Sequence, residues 1–169
     1  MEAFMERFDK KGRLIIPDLK KLGAAKKVGV IVEKEKLHVT HAYCPEGHAL
    51  ITDGSHMFSG RPGIRLLVRG KRLEQVITLS PFQGDFAKAY EQEFEDGEVL
   101  KVMCPLCETP LPVLAPCGCT PGSHWVVMFL RQEQDYNDAV GICNAWGCPC
   151  SFIRLSGEIL TEYRTSTQL

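Results

Sequence analysis

The sequence has no long apolar run. The longest, WVVMFL over residues 125–130, falls far short of the roughly 20 residues needed to cross a bilayer, and the opening MEAFMERFDKKGR lacks the hydrophobic stretch of a signal peptide. We therefore expect a soluble, cytoplasmic protein with no membrane partner. A surplus of one charge is missing too: 20 Lys and Arg face 21 Asp and Glu, for a formal net charge of −1. That balance argues against a general nucleic-acid binder, whose affinity comes mainly from cationic contacts with phosphate. Catalytic signatures are also absent. There is no HExxH, no Gly-rich phosphate loop and no nucleophile elbow. The phrase around Cys104 only imitates the zinc-deaminase pattern, because Met103 stands where that pattern has proline. These absences point away from an enzyme.

What remains is an ordinary globular composition with one unusual component. A chain of 169 residues, 44% hydrophobic and 24% charged, is long enough to bury a core as one domain or two small ones. Eight cysteines are spread through it in groups: Cys44 near His48, Cys104 near Cys107, Cys117 near Cys119, and Cys143 near Cys148 and Cys150. In a reducing compartment, clustered cysteines serve as metal ligands or redox thiols rather than as disulfides. Their spacing favours a metal. Two soft donors within two to five positions can be aimed at one ion by a short turn, and structural zinc takes four donors tetrahedrally.

Two four-donor sets follow, implying two Zn2+ per chain. The first is Cys44, His48, Cys104 and Cys107. Cys104-Pro-Leu-Cys107 is a tight knuckle, and Cys44-Pro-Glu-Gly-His48 has a related form, with proline after the first ligand and a glycine able to adopt positive φ. The 55 residues between its halves, 49–103, must fold on their own account. The second set is Cys117, Cys119, Cys143 and Cys148, a CGC turn and a Cys-x4-Cys turn joined by a hairpin. Cys150 is a fifth sulfur competing with Cys148. We favour Cys148 because Gly147 precedes it as Gly47 precedes His48. His124 is a further alternate ligand for this site.

The ligand turns resemble those of the zinc-ribbon class, in which two knuckles at the ends of β-hairpins share one ion. The resemblance covers about a third of the chain and implies a metal rather than a function. Two rivals stand beside zinc. A thioredoxin-like redox pair opens a helix, whereas Pro110 and Pro112 follow Cys107 too closely for one. An iron-sulfur centre fits poorly with a single histidine ligand.

Residue patterning predicts a mainly β, α+β fold of zinc-ribbon-like hairpins with one or two short helices. Hairpins are expected over 28–32 and 37–40, over 64–69 and 74–79 turning at Gly70-Lys71, over 125–130 and 139–142, and over 151–155 and 158–163 turning at Ser156-Gly157. A strand over 99–103 leads into the Cys104 knuckle. Helices are expected over 17–26, with Pro17 at its start, and over 85–94, where Phe86, Ala89, Tyr90 and Phe94 have roughly helical spacing. We divide the chain into residues 1–110 with the first zinc site and its long insertion, and 111–169 with the second.

Charge is unevenly distributed despite the balance. Residues 61–72 carry Arg61, Arg65, Arg69, Lys71 and Arg72 with no acid, while 85–98 carries six acids against Lys88. Such blocks are commonly solvated faces; the functional alternative is an anion site. Ionising seven thiols and binding two divalent ions takes the formal charge from −1 to about −4, which further disfavours nucleic acid. The expected function is a zinc-stabilised accessory or interaction protein with a protein partner. The alternatives are an enzyme, or enzyme subunit, gripping a small anionic ligand through the 61–72 segment, and third a nucleic-acid-binding ribbon.

Overall fold

The computed structural model describes residues 30–33 and 36–163. Among them are 13 strands and no helix, and every strand pairing is antiparallel. β1 (Val30–Glu33) and β2 (Lys36–Val39) form one hairpin, and β3 (Met57–Phe58) and β4 (Arg61–Pro62) a very short second one. A four-stranded sheet contains β5 (Ile64–Arg69), β6 (Glu74–Leu79), β7 (Lys88–Ala89) and β8 (Lys101–Met103) in the order β7-β6-β5-β8. The remaining strands, β9 (Val113–Pro116), β10 (His124–Phe129), β11 (Ala139–Cys143), β12 (Ser151–Leu155) and β13 (Glu158–Tyr163), form a five-stranded meander in chain order. No helix among the described residues is long and apolar enough to cross a membrane.

The mainly β expectation holds. β5 and β6 pair over the expected residues, from Ile64↔Leu79 to Arg69↔Glu74, and β12 and β13 turn at Ser156-Gly157. The helix expected over 17–26 lies outside the described residues, as does the start of the hairpin expected from residue 28. Over 85–94 the structure corrects the sequence reading, because no helix forms there. The segment's backbone groups are hydrogen-bonded to partners a helix would not use. Ala87 donates to the Asp85 carboxylate and its carbonyl accepts from Ser80 N–H, while β7 pairs with β6. Farther on, the buried Gln75 side chain accepts from Glu91 and Gln92 N–H and donates to the Gln92 carbonyl. The apparent helical stripe is accidental: Phe94 is buried, but Phe86 and Tyr90 are exposed.

β10 explains the longest apolar run. Its two faces alternate, as strand geometry requires, yet both are buried. Val126 and Met128 join the main core with Leu66, Val68, Val102, Val140 and Ile153, whereas Trp125, Val127 and Phe129 pack with Cys117, Cys143 and Phe152. A strand buried on two sides reads as continuous hydrophobicity rather than alternation.

The second of these clusters closes over a glycine. Gly141 lies opposite Phe152, and a Cβ there would come within 2.0 Å of the Phe152 ring. Since Phe152 is buried and also packs against Trp125, the ring has little room to move. Gly141→Ala should lower stability by about 1 to 3 kcal/mol through overpacking, measured by denaturant unfolding. A change within a few tenths of a kcal/mol would show that the Phe152 ring shifts freely.

Candidate metal centres

The four-stranded sheet assembles the first donor set. Cys44 to His48 form a turn held by Gly47 N–H to the Cys44 carbonyl, with Gly47 at φ +85°. Next to it, Arg65 N–H donates to the Leu50 carbonyl, docking this turn at the start of β5. β8 runs antiparallel to β5, with Met103 opposite Leu67 and Lys101 opposite Arg69. Its last residue therefore points back toward the start of β5 and delivers the Cys104–Cys107 knuckle to the same place. Cys44 Sγ lies 3.8 Å from Cys107 Sγ and 3.5 Å from His48 Nδ1.

Meander geometry builds the second set. β9 ends at Pro116 and β10 starts at His124, opposite it, so the 117–123 turn sits at one end of the sheet. Cys143, at the end of β11, lies opposite Trp125, which places the 144–150 turn at that same end. Cys117 Sγ is 4.0 Å from Cys148 Sγ, and Cys119 Sγ is 3.5 Å from Cys143 Sγ. In each set the four donor atoms all lie within 4.8 Å of one another, so either group could hold a metal ion. Cys148 belongs to the second group and Cys150 does not. The Cys150 backbone carbonyl instead accepts from Cys143 N–H, which closes the turn.

The surroundings suit anionic sulfur. A backbone N–H donates to one sulfur in each of three turns: His48 N–H to Cys44, Leu106 N–H to Cys104 and Ala145 N–H to Cys143, each at 3.4 Å. Hydroxyls flank two more, with Thr109 Oγ1 3.2 Å from Cys107 Sγ and Ser123 Oγ 3.2 Å from Cys119 Sγ. Sequence reasoning missed both hydroxyls. The only signal for them was a Ser or Thr within four positions of a ligand, which is too common to single out. Burial raises Cys104 to about 11 and Cys143 to about 12, and pushes Cys148 up as well. The Thr109 hydroxyl, by contrast, helps lower Cys107 to about 6. Buried thiols that resist ionisation next to donors that favour it are in conflict unless a cation supplies the missing charge.

The other sequence candidates sit elsewhere. His124 lies on β10 outside both donor groups, with its N–H donating to the Asn144 side chain. Arg65 and Arg69 stand four residues apart on β5, about 13 Å along the strand. Arg61 is on β4, and Lys71 and Arg72 are at the far turn between β5 and β6. Arg69 pairs with Glu74 on β6. The basic residues are thus strung along the sheet, spread over both ends of β5.

No protein-family model, curated protein or solved structure matches this chain, so its chemistry is read from these two clusters.

Replacing one sulfur at a time separates Cys148 from Cys150. Cys148→Ser should cost about one bound ion per chain, since a four-donor site loses a ligand, while Cys150→Ser should leave metal content unchanged. Elemental analysis of the purified variants decides it; the reverse pattern would move the ligand to Cys150.

Proposed function

We propose that this chain is a non-enzymatic accessory or interaction protein built around two structural Zn2+ ions. The observation that carries this reading is that each cluster brings four soft donors within 4.8 Å of one another. Zinc with metal–sulfur bonds of about 2.3 Å has sulfur–sulfur edges near 3.8 Å and sulfur–nitrogen edges near 3.6 Å. Four donor pairs, at 3.8, 4.0 and 3.5 Å between sulfurs and 3.5 Å from sulfur to nitrogen, lie near those values, and every pair in each cluster lies within 4.8 Å. Catalytic zinc keeps a position open for water, whereas four protein donors fill the coordination sphere. Three ligands of sulfur and one of nitrogen, or four of sulfur, also match zinc's preference for soft donors.

An interaction role is supported by what the knuckles present outward. Leu106, between Cys104 and Cys107, is 70% exposed, and Val113 on the edge strand β9 is 61% exposed. Large apolar side chains held out on a turn, and on a strand edge unpaired among the described residues, suit a protein partner. The scattered arginines of the 61–72 segment give the anion-gripping enzyme reading no comparable support.

Structural zinc is worth about 10 to 16 kcal/mol in small peptides, against a typical net domain stability of about 5 to 15. The chain should therefore carry about two zinc ions and unfold when a strong chelator removes them, as followed by circular dichroism and elemental analysis. Cobalt substitution tests closure. A tetrahedral thiolate spectrum insensitive to added cyanide is expected; a cyanide-dependent spectrum would reveal an open position and overturn the structural assignment.

A further inference from the structure

A cavity of about 340 Å³ lies between the inner face of β5 and β6 and the end of β11, a size suited to a small organic molecule. Much of its wall is hydrocarbon, with Leu66, Val68 and Ile77 from one sheet and Val140 and Ile142 from the other, while Cys143, Asn144 and Ser151 add sulfur and polar groups. Phe86 lines it too and is 44% exposed, which marks the side that opens to solvent. Gln83 Nε2 donates to Ser151 Oγ at 3.3 Å, tying the 80–88 loop to the start of β12 across the rim.

Only two charged side chains line the cavity, and they differ in kind. Asp85 accepts from the Ser80 hydroxyl at 2.7 Å and from Ala87 N–H at 3.1 Å, so its charge is used within its own loop. Lys88 is half-buried, with Nζ 4.2 Å from the centroid of the Trp146 ring. It forms no ion pair with a described carboxylate. Burial lowers its pKa against the opposing pull of Asp96, Cys148 and Glu93. A cation stripped of much of its water and set at the edge of an apolar chamber gains most from a ligand that brings one anionic oxygen group and little else polar.

We propose that this cavity binds a small monocarboxylic acid, with its carboxylate on Lys88 and its apolar body between the two sheets. A second carboxylate would meet hydrocarbon or the like charge of Asp85, and an amine would meet Lys88 as a like charge. The Trp146 face beneath Lys88 is continuous with the apolar wall, so head and body are recognised side by side. The site adjoins the second donor cluster, since Cys143 and Cys148 line it together with the 144–150 turn.

Octanoate is the probe, titrated calorimetrically into the full chain with the metal it carries after purification. One saturable site is expected, with amide NMR shifts confined to the surroundings of Phe86, Lys88 and Trp146. Octanol and octylamine share the body without the carboxylate and should bind about tenfold more weakly or worse, the worth of one charge-assisted hydrogen bond. Lys88→Met should erase the preference for octanoate over octanol. Val140→Phe should fill the cavity and abolish both, with unchanged metal content and thermal transition reporting an intact fold. Equal binding of octanol and octanoate to the unaltered chain would overturn the proposed chemistry, and absence of saturable binding, or shifts spread over the surface, would overturn the site. The comparison on the unaltered chain stands even if Val140→Phe fails to fold.

Discussion

Gathering buried sulfur from distant parts of the chain is the constraint on which the rest depends. Cys44 and Cys107 are 63 positions apart in sequence, yet their sulfurs stand 3.8 Å apart without a covalent bond. Thiols packed this closely lose water, and burial drives Cys104 and Cys143 toward their neutral forms even as backbone N–H groups aim at their sulfurs. A bound cation removes that conflict by displacing the thiol protons.

Seen from the donors, the long insertion in the first site is its scaffold. Residues 49–103 contain β3 to β8, and it is the antiparallel run of β8 beside β5 that carries Cys104 back to the Cys44 turn. The same stretch links the two centres. Leu100 N–H donates to the Asn144 carbonyl, and Trp146 N–H to the Glu98 carbonyl, so the turn between Cys143 and Cys148 is hydrogen-bonded to the strand that enters the first knuckle.

Placement also separates charges that look alike in sequence. The five basic residues of 61–72 lie along β4, β5 and the following turn, where Arg69 is answered by Glu74 across the ladder. Lys88, the single base within an acidic stretch, is the one brought to an apolar cavity and an indole face. Composition weighs a cluster of charges by number. Folding weighs each by the solvent it loses.

The sequence by itself determined the mainly β character, four hairpins and the grouping of soft donors, because these rest on short-range facts: residue alternation, turn residues and the two-to-five-residue reach of a knuckle. Its apparent helix over 85–94 failed because the side chain of Gln75, some sixteen positions away, accepts the amides a helix would have used. The two donor sets that share a cluster, Cys148 among them, are the ones turn spacing predicts; only the tertiary structure decided that Thr109 and Ser123 flank the sulfurs and that a cavity opens between the sheets. Each of these depends on strand register and sheet packing, which relate residues far apart in sequence and leave no local pattern to read.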